Sequence, residues 1–364
     1  MTDTVVSAGL TVEQWDDKFF TEYLTENRFA SEMGTNEANI IQVKEKLSKA
    51  PGDRINFALV NRLKRAAILG RNSLEGAEED MTSRSFEVVV GKRRNGVRIS
   101  ETDEQFSAIG LREAAKVVLK DWSLKDTEKL IVQAMASING VNYGAQTEAE
   151  KDAWIVDNAD RVLFGTATAG YTDHSADLLL LDATADKLTA AAISQMKFKA
   201  SVTANPKVRP IRSEANGRHY YMLYTDPRCF RDLKTDTTIT QAQREVNLEM
   251  ENNRLFKGGD LLWDGVIIKE IPEMFDELGA ALAGKGTAGA HVGCAFLCGA
   301  QAIGVAYAKR WQSRTQDWDY GDKRGVAIEA IYGVGKMSFG SHATVDRNDL
   351  KDHGMVTGYF GTVN

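Results

Sequence analysis

One glycine-rich stretch has the spacing of a cofactor-binding loop. Residues 284–289 read Gly-Lys-Gly-Thr-Ala-Gly, which matches the GxGxxG pattern of dinucleotide-binding proteins. In those proteins a strand precedes the pattern, a helix follows it, and an acidic side chain about 20 residues further on binds the ribose. Here the residues before Gly284 read as helix or loop, and the region of Lys309 and Arg310 is basic. We therefore interpret Gly284 to Gly289 as a flexible loop and not as the dinucleotide-binding site of an oxidoreductase.

Three further groups of reactive side chains lack the context that their chemistry needs. His291, Cys294 and Cys298 lie close in sequence, but their spacing matches no common zinc motif. The Asp-His-Ser triplet at 173–175 lies outside a GxSxG nucleophile elbow. The segment 333–336, Gly-Val-Gly-Lys, lacks the upstream glycine and the Ser or Thr of a phosphate-binding loop. We therefore predict no catalytic residue, no metal and no cofactor, so that the chain is not an enzyme.

The composition narrows the functional classes. The chain has 364 residues, of which 43% are hydrophobic and 26% charged, and its net charge is −6. No overall basic field exists to attract nucleic acid, although a local basic face is compatible with these numbers. No apolar run reaches the roughly 18 residues that span a bilayer, so we expect no membrane partner. Three cysteines in so long a chain fit a reducing compartment with free thiols.

The residues between 40 and 99 predict two extended arms joined by a charged loop. The arms cover 52–60 and 85–94, where apolar and polar side chains alternate as on a strand, and the loop covers 70–80. A compact chain of this length has a radius of gyration of about 21 Å, whereas about 24 extended residues reach roughly 80 Å. We therefore expect a ribbon that projects from the body. Since a two-stranded ribbon with wet faces is marginally stable alone, another copy of the chain is a strong candidate for its support.

Charge is segregated along this ribbon, and an aromatic stripe precedes it. The arms are basic and the loop is acidic, which indicates either a solvated surface, with ion pairs worth about 0–1 kcal/mol each, or complementary patches that set the docking of subunits. Near the N-terminus, aromatic residues recur at helical spacing, which indicates either a helix that covers its own core or an arm that clamps a neighbouring subunit. The candidate assembly residues from both features are Trp15, Phe19, Arg54, Arg62, Arg65, Glu75, Glu78, Glu79, Lys92, Arg93 and Arg94.

The clearest helix covers residues 111–138. Apolar residues recur there every three or four positions, and Asn139-Gly140 supplies a stop signal. A helix of about 28 residues is roughly 42 Å long, which is long enough to act as a spine. Caps, turns and periodicity predict the remaining elements: a second helix at 185–204, a hairpin turn at Asn216-Gly217, a helix that begins at Asp226-Pro227, a hairpin turn at Asp264-Gly265, a helical or mixed segment at 295–311 and a buried pair of strands at 324–339.

The order of these elements resembles that of a known family. An N-terminal arm, an extended hairpin, a long helix, a mixed lobe and returning strands follow one another as in tailed-phage major capsid proteins of the Hong Kong 97 type, and more narrowly as in the coat proteins of N-four-like phages. Each motif is short, but their joint order is specific and covers most of the chain. One departure is Arg254, where the family pattern favours proline. The matching segments are 29–43, 52–57, 74–76 with 78–79, 111–116 with Trp122, 210–224 with Pro227 and 232–233, 253–256, 264–266, 319–327 and 335–339.

The resemblance implies an α+β fold of the Hong Kong 97 type. Its parts are an N-terminal arm, an extended β-hairpin loop (E-loop), a peripheral domain built around the spine helix, and an axial, or apical, domain. The ribbon would lie across a neighbouring subunit. The expected regions are the arm at 1–39, the E-loop at 40–105, the peripheral domain at 106–184 with its spine helix at 111–138, the axial domain at 185–312, and the returning strands of the peripheral domain at 313–364.

The same resemblance implies a function. Proteins of this family self-assemble into hexamers and pentamers that close into an icosahedral phage head around double-stranded DNA, which they contact non-specifically. The shell begins as a compact procapsid and expands during maturation. Expected partners are further copies of the chain, a portal, a separate scaffolding protein and decoration proteins, and the expected location is the virion, after assembly in the host cytoplasm. An encapsulin-like compartment shell of the same fold is the alternative, beside the oxidoreductase hypothesis.

Overall fold

Helices and strands are mixed along the chain. The computed structural model describes residues 27–45, 53–60, 67–70, 75–76, 78, 83–107, 111–167, 169–212, 219–245, 261–340 and 350–363. Within these ranges the strands form a five-stranded sheet, a seven-stranded sheet and two two-stranded pairs. The predicted turn at Asn216-Gly217 and the departure at Arg254 lie outside the described residues.

The helices begin and end largely where caps and breakers predict. Asp226 caps one of them, because its Oδ1 accepts a hydrogen bond of 2.8 Å from the Arg228 backbone N–H, and Pro227 occupies the first turn. The α-helices are α1 (Glu101–Phe106), α2 (Leu111–Ala136), α3 (Glu148–Asp157), α4 (His174–Leu179), α5 (Ala190–Phe198), which a π-helical turn (Lys199–Thr203) extends, α6 (Pro227–Lys234), α7 (Thr237–Glu245) and α8 (Glu273–Leu282).

The long helix α2 confirms the prediction for 111–138. Every fourth residue from Ala115 to Thr127 is buried, so a narrow stripe of the helix faces the protein. The helix ends at Ala136 because the next residues reverse the chain. Asn139 and Gly140 have φ angles of 51° and 78°, which form a tight turn after the helix.

The strands carry most of the long-range pairing. Asp264 and Gly265 form the predicted hairpin turn between two of them, with Val266 opposite Trp263. The strands are β1 (Met33–Gly34), β2 (Ile41–Lys44), β3 (Arg54–Val60), β4 (Ser83–Val89), β5 (Gly91–Ser100), β6 (Val162–Phe164), β7 (Ile211–Arg212), β8 (His219–Thr225), β9 (Leu261–Trp263), β10 (Val266–Glu270), β11 (His291–Cys298), β12 (Ile303–Trp318), β13 (Lys323–Lys336), β14 (Ser338–Gly340), β15 (Leu350–Asp352) and β16 (Met355–Thr362).

The five-stranded sheet has the order β1-β2-β12-β13-β5. Its centre is the long antiparallel hairpin of β12 and β13, and β5 pairs antiparallel with β13 over its whole length. One face of the sheet packs on α2. Trp311 meets Trp122 edge to face at 5.9 Å between ring centroids, and the Tyr332 hydroxyl donates to Asp126 at 3.0 Å.

The seven-stranded sheet has the order β6-β16-β11-β8-β10-β9, with β7 paired to β8. Alternate residues of β11 belong to two different hydrophobic clusters, since Phe296 packs with α8 whereas Leu297 packs with α5 and α6. Both faces of this sheet are therefore covered. All residues of β16 are buried, as expected for a strand that is covered on both faces.

Two predicted segments are corrected by the sheets. Residues 295–311, expected to be helical or mixed, form the end of β11, a short turn and the start of β12. Periodicity cannot separate a helix from a strand that is buried on both faces. Residues 324–339 are not a pair of strands but mainly one strand, β13, whose partners β12 and β5 come from elsewhere in the chain.

The second predicted arm is divided between two sheets. Only β4 belongs to the ribbon with β3, whereas β5 belongs to the five-stranded sheet. The expected regions also share sheets, because β6 and β16, from the two parts assigned to the peripheral domain, pair in the sheet of β8 and β11. The division at 184 and 312 stays a prediction.

Candidate assembly surface

The base of the ribbon is held by its own chain. β3 and β4 pair antiparallel along their length. The expectation of wet faces is wrong for one face of this base, because that face is buried against the five-stranded sheet. Support of the ribbon by another copy of the chain stays a prediction. The buried cluster consists of Ile55, Phe57, Val88, Ala306, Met337 and Phe339.

Two glycines of β13 allow the ribbon to approach closely. A Cβ at Gly333 would lie 2.0 Å from the Val89 carbonyl oxygen, and a Cβ at Gly335 would lie 3.3 Å from the Phe86 ring. β5 pairs with β13 as far as Tyr332. Beyond that residue, β4 lies beside the continuation of β13. The loop between β3 and β4 therefore points away from the turn that joins β12 to β13.

The outer face of the ribbon and the described part of its loop carry exposed charged side chains. Arg54 pairs with Glu87 at 3.0 Å across the ribbon, and both side chains are about half exposed. In the loop, Glu75 and Glu78 are exposed, and Glu78 accepts a hydrogen bond of 2.8 Å from the Gly76 backbone N–H. The predicted assembly residues Trp15, Phe19, Arg62, Arg65 and Glu79 lie outside the described residues.

Three cations converge on one carboxylate of β13. Glu329 forms ion pairs with Lys92 at 2.9 Å, Lys309 at 2.7 Å and Arg314 at 2.5 Å. Hydrogen bonds from Lys309 and Lys92, and then from Arg314, lower the pKa of Glu329 to about 2 although burial opposes this shift. The carboxylate is therefore ionised at any physiological pH and holds the three strands β5, β12 and β13 together.

These residues lie on the face of the sheet turned away from α2. Lys92, Arg94 and Arg98 alternate along β5, so they share that face. Together with Lys309 and Arg314 of β12 they form what we call the basic face, on which Glu329 is the one carboxylate that β5, β12 and β13 contribute.

Arg93 lies on the opposite face and has a different role. Its guanidinium pairs with Asp126 of α2 at 2.7 Å, beside the hydrogen bond from Tyr332 to the same carboxylate. Arg93 thus joins the sheet to the long helix, and its assembly role stays a prediction. The sequence groups Arg93 with the neighbouring basic residues, because the sequence alone does not show which face of the sheet each residue occupies.

The turn between β12 and β13 exposes an aromatic tip that sequence reasoning missed. Tyr320 is fully exposed with a φ of 52°, and Trp318 is 40% exposed while its ring lies over Gly325. Exposed aromatic side chains at a projecting tip are typical of contact surfaces. The turn-forming residues Asp319, Gly321 and Asp322 were the available signal for this hairpin.

The fold does not support the dinucleotide-binding and metal-binding sites that the sequence motifs raised. The GxGxxG segment at 284–289 follows helix α8 and precedes strand β11, which is the reverse of the order that dinucleotide binding needs. Cys294 and Cys298 are buried in β11, and burial raises the pKa of both thiols. Among the described residues, no three His, Cys, Asp or Glu side chains are grouped as metal ligands. Over the same residues, no helix is long and apolar enough to cross a membrane.

The fold and this surface define a class of protein. Two sheets, a long helix against one of them, a two-stranded ribbon and exposed charged and aromatic side chains are features of a subunit that assembles with other subunits. In agreement, the family model described as "Phage capsid protein" matches residues 3–359. The chain belongs to the phage capsid protein family.

Individual relatives agree with this assignment. The chain is similar to the major capsid protein of Pseudomonas phage KPP25, with 27% identity over 97% of this chain and 96% of the relative. It is also similar to the capsid protein of cyanophage Pam1, with a TM-score of 0.81 and 31% identity over 100% of this chain and 99% of the other. The capsid of Ralstonia phage GP4 shares the fold, with a TM-score of 0.71 and 23% identity over 93% and 92% of the two chains.

These comparisons confirm the predicted α+β capsid fold of the Hong Kong 97 type and the predicted capsid function. The protein is a structural component of a phage virion. Since a capsid is a shell of repeated subunits, copies of this chain assemble with one another.

Proposed function

We propose that this chain is the major capsid protein of its phage and builds the hexamers and pentamers of an icosahedral head that encloses double-stranded DNA. The observation that carries the proposal is the similarity to phage capsid proteins over nearly the whole chain. The surfaces described above supply the contacts that such assembly needs. Its role is structural, without catalysis.

The finer partners follow from this role. A portal at one vertex, a separate scaffolding protein during assembly and decoration proteins on the outside are expected, and the inner surface contacts DNA non-specifically. The ribbon acts as an E-loop that lies on a neighbouring subunit, and assembly takes place in the host cytoplasm. The basic arms, the acidic loop and the N-terminal aromatic residues are the proposed contacts between subunits.

Expression of the chain tests the proposal. The chain is produced alone and together with the other head proteins of its phage, and the products are examined by negative-stain electron microscopy and by sedimentation. Rings, tubes or closed shells are expected. A small oligomer that binds nucleotide and forms none of these, even with the scaffolding protein supplied, contradicts the proposal. Portal and terminase genes beside the coding sequence are expected for a phage head and not for an enzyme-loaded compartment.

A further inference from the structure

The segment 27–34 joins the two large sheets of the subunit. Its last two residues form β1 of the five-stranded sheet. Phe29 is fully buried and meets Tyr224 of β8, in the seven-stranded sheet, edge to face at 5.3 Å between ring centroids. The same segment contacts α2, which packs on the first sheet, and α8, which packs on the second. A change that loosens this segment therefore loosens the contact between the sheets.

Charged side chains from four parts of the chain meet at this segment. Lys269 of β10 pairs with Glu32 at 3.2 Å, and its ammonium also donates to the Arg28 carbonyl oxygen. The Arg28 guanidinium pairs with Glu273 of α8 at 3.4 Å. The Arg28 backbone N–H donates to Glu128 Oε1 of α2 at 3.0 Å. Two cations of this cluster therefore face three carboxylates.

Glu128 is the carboxylate that this arrangement leaves without a counter-ion. The residue is 7% exposed, and the ion pairs of the cluster that involve described residues do not include it. A carboxylate withdrawn from water is costly unless a counter-ion or several hydrogen bonds compensate the charge. Here the backbone N–H of Arg28 is the donor that the described residues supply. The ionised form of Glu128 is therefore poorly compensated.

The charges on every element packed against Glu128 set its protonation. Burial raises the pKa of Glu128 above its ordinary value of 4.5. The hydrogen bond and the positive charge of Arg28, with the charge of Lys269, oppose this shift, whereas the negative charge of Glu273 adds to it. The neighbouring lysines of α2 are each paired with another carboxylate, Lys125 with Asp121 at 2.9 Å and Lys129 with Glu277 at 2.8 Å.

We propose that Glu128 forms a proton-controlled joint between the segment 27–34 and the two sheets. When Glu128 carries a proton, its carboxyl still accepts from Arg28 and no buried charge stands beside Glu273, so the segment is held tightly. When the proton leaves, the charge favours states in which the segment moves off and water reaches the carboxylate. Acid therefore tightens the joint. This effect is fully present below pH 4.5 and is lost as the pH rises through the raised pKa.

Hydrogen exchange in unassembled subunits tests the joint. Glu128→Gln keeps the shape of the side chain and removes its charge. The reporters are the backbone amides of Glu32 and Met33, which donate to the Phe29 carbonyl oxygen. At about pH 7 these amides are expected to exchange about tenfold more slowly in the variant for each unit by which the pKa of Glu128 is raised. At about pH 4.5 the rates of the variant and the unaltered subunit are expected to agree within about twofold, because Glu128 then carries its proton.

A matched control comes from the exposed side of the same helix. Asp121→Asn also removes one carboxylate of α2, but that side chain is 59% exposed and pairs with Lys125. Its exchange rates are expected to stay within about twofold of those of the unaltered subunit at both pH values. Infrared spectra provide a second measurement that does not depend on motion. At about pH 5 the unaltered subunit is expected to show a carboxylic-acid band that Glu128→Gln lacks.

The comparison at equal pH isolates Glu128 from the buried histidines. His174 and His353 act over the same pH range with the opposite sign, because burial lowers the pKa of each to about 4. Their contribution is the same in Glu128→Gln and in the unaltered subunit, so it cancels in the ratio of rates. Faster exchange in Glu128→Gln at about pH 7, the same ratio of rates at both pH values, or absence of the carboxylic-acid band overturns the inference. These measurements need no shells, so a failure of the proposed function leaves their outcome unaffected.

Discussion

Lys336 and Asp352 form an ion pair that is almost wholly withdrawn from solvent. Lys336 Nζ lies 2.8 Å from Asp352 Oδ2, and the side chains are 4% and 5% exposed. The Trp154 indole N–H donates to the same oxygen at 3.2 Å, and the ammonium lies 5.3 Å from the Trp154 ring centroid. The end of β13, β15 and α3 therefore meet at one buried polar group.

Removing one partner of this pair is expected to destabilise the subunit strongly. Lys336→Met or Asp352→Leu alone leaves a buried charge without its counter-ion, which typically costs about 3–5 kcal/mol. The double variant removes both charges and is expected to recover at least half of that loss. Urea unfolding of unassembled subunits measures each free energy of unfolding. A double variant as unstable as the sum of the two singles would contradict this account.

His174 makes the subunit sensitive to acid. Its side chain is 1% exposed and packs against the rings of Tyr143, Trp154, Phe164 and Tyr359. Burial, and next the nearby positive charge of a lysine, lowers the pKa of His174 from 6.5 to about 4. The imidazole is therefore neutral in the folded subunit down to that pH, whereas the unfolded chain binds a proton below about 6.5.

Stability is expected to fall as the pH drops from about 6.5 towards 4, because protons then bind the unfolded chain preferentially. Above this window His174 is neutral in both states and contributes no pH dependence. Between pH 7 and pH 5 the loss from this group is about 2 kcal/mol. His174→Phe is expected to lack that increment, which urea midpoints at the two pH values measure. Equal pH dependence of the variant and the unaltered subunit would contradict the role of this residue.

At the scale of elements, the position of the ribbon depends on a residue of β13 that has no side chain. Gly333 is the residue of β13 beside which the backbone of β4 passes, and the atom nearest to an added Cβ is the Val89 carbonyl oxygen. A backbone atom cannot move aside as a flexible side chain can. The position of the ribbon is therefore fixed by its close contact with β13, and the direction of the acidic loop depends on this one glycine.

Gly333→Ala is expected to displace the ribbon. The clash is expected to cost about 1–3 kcal/mol of subunit stability and to lower shell yield further, because the loop is misdirected. Gly91→Ala is the matched control, since an added Cβ there meets nothing within 4 Å. Thermal unfolding and sedimentation of assembled material measure the two effects. Equal behaviour of both variants would show that the close approach at Gly333 has no consequence.

At the scale of the whole molecule, the candidate contact surfaces lie at both ends of the five-stranded sheet. The ribbon leaves one end, and the turn between β12 and β13 carries Tyr320 at the other. Such a subunit can touch neighbours on several sides at once. Because assembly multiplies weak contacts over many copies, each contact can be modest while the shell is stable.

Tyr320→Ser is expected to weaken assembly without affecting the fold. The side chain is fully exposed, so the change in subunit stability is expected to stay within about 0.5 kcal/mol. Shell yield is expected to fall, and shells that form are expected to dissociate at lower denaturant concentration. Tyr320→Phe keeps the ring and is expected to behave like the unaltered chain. Unchanged shells in Tyr320→Ser would exclude the tip as a contact.

Much of the fold was predictable wherever the determinants are local. Helix α2 has a regular apolar period and an Asn-Gly stop, and the helix after Asp226 has its cap and its proline. β11 and the start of β12 were missed because strands covered on both faces show no alternation. The pairing of β5 with β13 joins segments more than 200 residues apart, and no local signal encodes it.

For the assembly surface, the sequence by itself determined the order of elements, the blocks of charge and the absence of a recognisable catalytic motif, because these depend on residue types and spacing. Only the tertiary structure decided that Arg93 turns to α2 while Lys92 turns to the basic face, and that Glu329 gathers cations from two other strands. Adjacent residues of a strand point to opposite faces, so the chain must pair before a run of charge becomes a surface.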